Sequence, residues 1–261
     1  MGVLNVTPDS FSDGGRFANL DMAQRHAESM YQDGASIIDI GGESTRPGAD
    51  DVSESQELDR VIPIIEALRN TVDLPISVDT SKAAVMREAV QAGAALINDV
   101  MALREPGALL AAVDLGVSVC LMHMQGRPRS MQDNPHYDDV TADVTRFLGE
   151  QAARCVEAGL AREKIMIDPG FGFGKTHDHN VELLANLRQL QNLELPVLVG
   201  LSRKSTVGEL TGRDVDKRMP GSIAAAVIAV MNGAQVVRAH DVRETVDALR
   251  VASAVVEARD E

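Results

Sequence analysis

Ser202-Arg203-Lys204-Ser205 sets two cations between two hydroxyls, in a turn that follows an apolar run and precedes a helical stretch. At a helix amino terminus such side chains are joined by open backbone N–H groups and the positive end of the helix dipole, so the turn is a candidate site for a carboxylate or phosphate. A plain helix cap by Ser202, with Arg203 and Lys204 solvated, is the alternative. Arg238 and His240 stand two residues apart at the end of the last apolar run, a spacing that puts both on one face of a strand. With Arg46 they form a candidate second anion subsite. Asp79, Asn98 and Asp168 each close an apolar run, and together they offer acceptors plus an amide that donates and accepts. That set suits a flat heterocycle. Asp168-Pro169-Gly170-Phe171-Gly172-Phe173-Gly174 adds two rings, with Phe173 placed to pack on a ligand plane and Phe171 divided between ligand contact and loop packing.

Metal chemistry has little support of its own. His123, His136, His177, His179 and His240 do not repeat at zinc-ligand spacings, and no cysteine cluster accompanies them. A Mg2+ ion shared between Asn5 and substrate phosphates fits better, since magnesium keeps waters and takes few protein ligands. His123 is either an acid–base group or a satisfied strand-end histidine. No serine–histidine–acid layout or dinucleotide fingerprint emerges.

The elements that must position these groups follow one pattern. Asn5, Glu43 to Arg46, Asp79, Asn98 with Asp99, His123, Asp168, Ser202 to Lys204, and Arg238 with His240 each follow a short apolar run and precede a helical stretch, making eight runs. Amphipathic spacing lies between them, as in Leu58, Val61, Ile62, Ile65 and Leu68. Gly34, Gly93, Gly116 and Gly233 end helices and lead into the next strand. Continuous apolar strands imply burial on both faces, as in a parallel sheet covered by helices. The expected fold is α/β, a (β/α)8 TIM barrel with its chemistry at the carboxyl ends of the strands, in one domain spanning residues 1–261. A doubly wound open sheet is the rival, but that fold gathers function at one switch point rather than around every strand end. The connections 7–19 and 44–53, after strands 1 and 2, are rich in Gly, Pro, Ser and Asp and read as mobile loops. A third, 124–137, carries Arg127, Pro128 and Arg129.

The chain has 261 residues, a formal charge of −14 and a pI near 4.8, which argue against a nucleic-acid or anionic-membrane surface. Any anionic ligand must meet a local basic site. Cys120 and Cys155 form no disulfide framework, and no membrane span or signal segment is evident, so a cytoplasmic protein is expected.

Over nearly its whole length the chain resembles the bacterial dihydropteroate synthases. The resemblance runs through residues 1–15, then Asp39-Ile40-Gly41-Gly42-Glu43-Ser44-Thr45-Arg46-Pro47-Gly48, and Ser77-Val78-Asp79-Thr80. It continues in Ile97-Asn98-Asp99, Leu121-Met122-His123-Met124, residues 168–174 and Ser202-Arg203-Lys204-Ser205. Family members usually carry a further amino-terminal segment before the first strand, expected to cover the bottom of the barrel.

The resemblance implies a pterin-binding barrel that joins p-aminobenzoate to 6-hydroxymethyl-7,8-dihydropterin pyrophosphate, gives 7,8-dihydropteroate and pyrophosphate, and is a target of sulfonamides. It implies that Asp79, Asn98, Met122, Asp168, Phe173, Lys204 and Arg238 bind the pterin. Phe11, Thr45, Arg46, Pro47 and Ser205 would bind p-aminobenzoate, and Asn5, Thr45, Arg46, Arg238 and His240 the pyrophosphate. Asn5 would hold Mg2+. Asp79, Lys204, Arg238 and His240 would be catalytic, in a dissociative reaction with a pterin methylene cation and no enzyme nucleophile. A homodimer through the late helices is implied, with Ala224 to Ala226 and Ala229 as a small-residue face. Two alternatives stay open: a pterin-binding methyltransferase domain, and a non-catalytic pterin-binding subunit.

Overall fold

The structure, a computed structural model, describes residues 1–6, 16–44 and 51–260. Strands and helices alternate: β1 (Gly2–Asn5), α1 (Arg16–Gln32), β2 (Ile38–Gly41), α2 (Glu54–Leu68), β3 (Ile76–Asp79), α3 (Ala83–Ala92), β4 (Leu96–Asp99) and α4 (Ala108–Leu115). The second half continues with β5 (Ser118–Met122), α5 (Val140–Glu157), β6 (Ile165–Asp168), α6 (His177–Ala185), β7 (Leu198–Val199), α7 (Ser205–Thr211), α8 (Met219–Met231), β8 (Val236–Val237) and α9 (Val242–Asp260).

Strands β1 to β6 pair in order as one parallel sheet, and β7 pairs with β8. Parallel bridges from Ile167 to Val197 and from Gly2 to Ala239 join the two pieces at both edges. The sheet therefore closes into a (β/α)8 barrel, and the open-sheet alternative is excluded. Local sequence sets the unit boundaries. Ser53 opens α2 with a capping box: its hydroxyl accepts the Gln56 N–H at 3.3 Å, and the Gln56 side chain accepts the Ser53 N–H at 3.0 Å. Asp139 and Thr176 cap α5 and α6 in the same sense. At Gly93, φ is 128°, a conformation that side chains disfavour, and the chain turns there from α3 into β4.

Strand parity divides the barrel into two sets. Leu4, Ile38, Ile40, Val78, Ile97, Val119, Leu121, Ile165, Ile167, Val197 and Val199 belong to the main apolar core under the helices. Each such side chain, fully buried, contributes about 1.5–3 kcal/mol. Residues of the opposite parity point to the barrel axis, and their register forms layers. One layer runs Asn5, Gly41, Asp79, Asn98, Cys120 and Met166, and the layer below runs Val3, Asp39, Ser77 and Leu96. The strands are thus apolar outward but mixed inward, which refines the expectation of apolar burial on both faces.

Three further expectations change or fall outside the description. Helix α1 begins at Arg16, within the connection read as loop 7–19, because residues 16–19 carry no Gly or Pro to resist the helix. The rest of that loop, and residues 45–50 of the second, lie outside the described residues. The expected small-residue face of α8 is divided: Ala226 and Ala229 are buried in the core, while Ala225 is half-buried and Ala224 exposed. Ile228 on α8, and Val251 and Val255 on α9, are large apolar side chains that these helices expose. Among the described residues no helix is long and apolar enough to cross a membrane.

Candidate active site

Arg238, just past β8, reaches across the barrel to β2 and β3. Its Nε donates to Asp39 Oδ2 at 2.6 Å and its NH2 donates to Asp79 Oδ2 at 3.1 Å. Asn98 Nδ2 donates to the same Asp39 oxygen at 3.3 Å. One guanidinium, two carboxylates and one amide therefore form a single network on the inward layers of four strands. Burial opposes the Arg238 charge, but Asp39 and Asp79 outweigh it and hold its pKa above the ordinary value. For Asp79, burial is the largest influence, opposed by Arg238 and reinforced by Asp39, Glu57 and Asp99, and its pKa rises to about 7. Asp39 Oδ1 and Ser77 Oγ, on registered neighbours, are buried without a hydrogen-bond partner among the described residues.

The opposite wall comes from β5, β6 and the turn before α7. Asp168 is buried and accepts the Gly170 N–H at 2.7 Å. Burial raises its pKa, while Lys204, the Gly170 N–H, Lys175 and Arg238 pull it back. The Lys204 ammonium lies 4.5 Å from the centre of the Phe173 ring and donates to the Phe171 carbonyl. Burial lowers its pKa to about 8 against the pull of Asp168. Phe173 packs on a small cluster of Val100, Met101, Met122, Met124 and Met131. Polarizable, flexible methionines beside an aromatic ring suit a flat ligand. Phe171, by contrast, is 1% exposed and belongs to the main core, which resolves its two readings in favour of packing.

The remaining strand ends divide between site and scaffold. His240 Nδ1 lies 3.0 Å from Ser202 Oγ, which also accepts the His240 N–H at 3.2 Å, so Ser202 anchors the last strand end instead of capping a helix. Arg203 corrects an expectation. Its Nε and NH2 donate to the two oxygens of Asp241 at 3.1 and 2.5 Å, so this cation is held bidentately rather than offered to an anion. Its φ of 60° turns the chain between β7 and α7. Ser205 is the exposed first residue of α7. Asp99 faces away from Asn98: it accepts from Ser81 Oγ and from the N–H groups of Met101 and Leu103 at 2.7 and 2.8 Å, fixing the loop that carries Val100 and Met101. His123 is the satisfied strand-end histidine, with Nδ1 2.9 Å from the Lys175 amine and its pKa lowered by burial and then Lys175 to about 2. It is not an acid–base group.

Asn5 is half-buried at the end of β1. Beside it, Gly41 has no side chain, and a Cβ there would lie 3.7 Å from both Asn5 Oδ1 and Asp79 Oδ2. An amide oxygen beside a carboxylate at an open strand end has the donor chemistry of a magnesium ion that keeps most of its waters. Among the described residues no group of three or more His, Cys, Asp and Glu side chains forms a metal cage. A cavity of about 380 Å³ opens beside Asp79 between the loops after β2, β3, β4 and β5, with Glu43, Lys82, Met101 and Arg129 in its wall.

The structure brings together Asn5, Asp79, Asn98, Met122, Asp168, Phe173, Lys204, Arg238 and His240 at the carboxyl end of the barrel. Phe11, Thr45, Arg46 and Pro47 lie outside the described residues. Two residues with evident influence on the site went unnoticed in sequence. Asp39 has a detectable signal, a carboxylate between two isoleucines inside an apolar strand. Lys175 has only its position after the 168–174 signature.

Comparison with known proteins places these features in context. Residues 1–240 match the family described as pterin binding enzyme. The chain is 55% identical over 260 residues to the dihydropteroate synthase of Escherichia coli (strain K12), covering 100% of this chain and 92% of that one. It superposes with a TM-score of 0.94 on the Yersinia pestis dihydropteroate synthase with a sulfonamide drug complex, at 57% identity, covering 98% and 94% of the two chains. The Xanthomonas albilineans dihydropteroate synthase in complex with 7,8-dihydropteroate superposes with a TM-score of 0.89, at 52% identity and with 98% and 92% coverage.

Proposed function

The chain belongs to the pterin-binding enzyme family, among its dihydropteroate synthases, and on that premise we infer how its strand ends divide the reaction. The reaction joins p-aminobenzoate to 6-hydroxymethyl-7,8-dihydropterin pyrophosphate in folate biosynthesis. The observation that carries the division is the facing of Asp168 and Lys204, over the Phe173 and Met122 wall, toward the Asp39–Arg238–Asp79–Asn98 network.

Asp168 reads the donor edge of the pterin, and Lys204 and Asn98 bond its acceptors. Phe173 and Met122 pack against the ring plane, with Arg238 on the other side. Two of the five Arg238 N–H donors are engaged by carboxylates, and the others remain for the leaving pyrophosphate, joined by His240. Asn5, Thr45 and Arg46 complete that subsite. Asn5 would hold Mg2+, which supplies neutralisation of the pyrophosphate charge. Asp79, ionised as pH rises through its raised pKa, provides negative charge near the pterin methylene as it becomes cationic. No side chain is required to attack, because the aromatic amine is the nucleophile. Phe11, Thr45, Arg46, Pro47 and Ser205 form the p-aminobenzoate subsite. Relatives carry the name of the synthase, and no observation favours the methyltransferase or non-catalytic alternatives.

We place the enzyme in the cytoplasm as a homodimer through the exposed Ile228, Val251 and Val255 of the late helices. The reaction is tested by following dihydropteroate from both substrates with Mg2+ present, and by adding a sulfonamide. Competition against p-aminobenzoate but not against the pterin substrate is expected. Noncompetitive inhibition against both substrates would contradict the assigned subsites, and a requirement for neither substrate would contradict the reaction.

A further inference from the structure

Lys175 follows the 168–174 turn and is 3% exposed, yet among the described residues it makes no ion pair. Its Nζ lies 2.9 Å from His123 Nδ1, 2.9 Å from the Gly170 carbonyl and 3.1 Å from the Phe173 carbonyl. Burial lowers the Lys175 pKa well below its ordinary value, with Asp168 pulling it back up and Lys204 adding to the fall. In the ammonium form the three protons find three acceptors, with His123 accepting at Nδ1. Two of those acceptors belong to the turn that presents Phe173 and donates the Gly170 N–H to Asp168. The third is His123, the residue after β5, whose N–H in turn donates to the Asp168 carbonyl at 2.9 Å. His123 is itself wedged edge-on against Phe147, with ring centres 4.9 Å apart. A buried amine that holds both a strand-end residue and the neighbouring turn is therefore a mechanical tie first, and a source of positive charge beside Asp168 in its protonated form.

We propose that Lys175 is a positioning residue for pterin capture: it ties the 170–174 turn to the end of β5 so that Asp168 and Phe173 face the slot together, and in its protonated form it places positive charge behind Asp168. The proposal rests on the synthase reading above. The charged groups facing Asp168 are Lys204 from the end of β7, Arg238 from β8 and Lys175 from its own turn. Those facing Lys175 are Asp168 and Lys204, with the neutral imidazole of His123 in contact, and Arg104 faces that imidazole from beyond β4. Removing the Lys175 charge therefore makes Asp168 easier to protonate, while removing its hydrogen bonds loosens the turn.

The test compares wild type, Lys175→Met and Lys175→Gln in steady-state turnover with each substrate varied across the acid side of the pH profile. Wild-type dihydropteroate formation tests the synthase reading by itself, and only the variant ratios bear on Lys175. Lys175→Met should raise KM for the pterin pyrophosphate about tenfold or more, leave KM for p-aminobenzoate within about twofold, and move the acid limb of kcat/KM to higher pH. Lys175→Gln keeps N–H donors for the two carbonyls but no charge, so it should recover part of the pterin KM while retaining the displaced acid limb. A wild-type pterin KM and acid limb in Lys175→Met would overturn the proposal. Equal losses toward both substrates with an unmoved acid limb would do the same. Failure of both variants to fold would also overturn it, by making Lys175 a residue of global stability instead of the slot.

Discussion

Asp39 contributes nothing to solution contact, being 0% exposed, but it is the hinge of the slot's charge balance. It holds Arg238 flat across the barrel, so Asp39→Ala leaves a buried guanidinium with Asp79 as its remaining carboxylate partner. Breaking a buried pair from one side costs about 3 kcal/mol, and urea unfolding should show a loss of that order together with a raised pterin KM. A loss within the scatter of surface substitutions would remove Asp39 from this role. Asp79 makes a pH-dependent prediction. Its pKa is raised in the fold from 3.8 to about 7, so it contributes stability below the unfolded value and loses that contribution as pH rises through the folded value. Asp99, raised to about 6, acts with the same sign. Unfolding free energies measured between those limits should decline less with pH in Asp79→Asn than in wild type. A parallel decline in both proteins would contradict the burial of Asp79. At this scale the sequence was most legible where a polar residue closes an apolar run, as at Asp79, Asn98, Asp168 and Arg238. It was least legible where partners are far apart in sequence. Nothing local distinguishes Arg203, paired with Asp241, from Lys204, aimed at the slot, because their difference is set by a left-handed φ and a partner on another unit.

At the scale of elements, the turn after β6 carries the tightest constraint. Gly170 has φ 69°, and a Cβ there would collide with the His123 carbonyl. Gly170→Ala must therefore part β5 from the turn, and it should destabilise the protein by about 2 kcal/mol or more while weakening pterin binding. Thermal unfolding and pterin titration would show this, and an unchanged protein would mean that the two strand ends are not locked. The alternation of strand and helix and the glycine stops were readable because each is local. Barrel closure was inferred from the spread of polar strand ends. Its physical basis, the bridges at Ile167 and Gly2, is non-local. The inward polar layers were hidden in sequence because short strands such as Ile38-Asp39-Ile40 look apolar on average while alternating in fact. The start of α1 was missed because its first residues adjoin a glycine-rich run that dominates the local composition.

For the whole molecule, a charge of −14 surrounds a barrel mouth at which, among the described residues, Arg203, Lys204 and Arg238 are each engaged by carboxylates or a carbonyl. Such a field repels an anionic substrate at long range, so neutralisation must come from the few groups at the mouth and, on the proposed reading, from a magnesium ion that Asn5 would hold. The late helices leave Val251 68% exposed and Ile228 46% exposed, which fits a surface covered by a second copy. Equilibrium sedimentation should find a dimer at micromolar concentration that Val251→Asp weakens, whereas a wild-type monomer under those conditions would exclude the proposed assembly. The central claim is that one slot, read by Asp168, both binds the pterin and conducts its transfer. Its most direct measurement is pyrophosphate release from the pterin substrate with Mg2+, with and without p-aminobenzoate, in wild type and in Asp168→Ala. Release and dihydropteroate formation in wild type, falling by about a hundredfold or more in kcat/KM in the folded variant, is the predicted result. Turnover by Asp168→Ala at the wild-type rate, or pterin binding by the wild-type protein with no product of either kind, would contradict it.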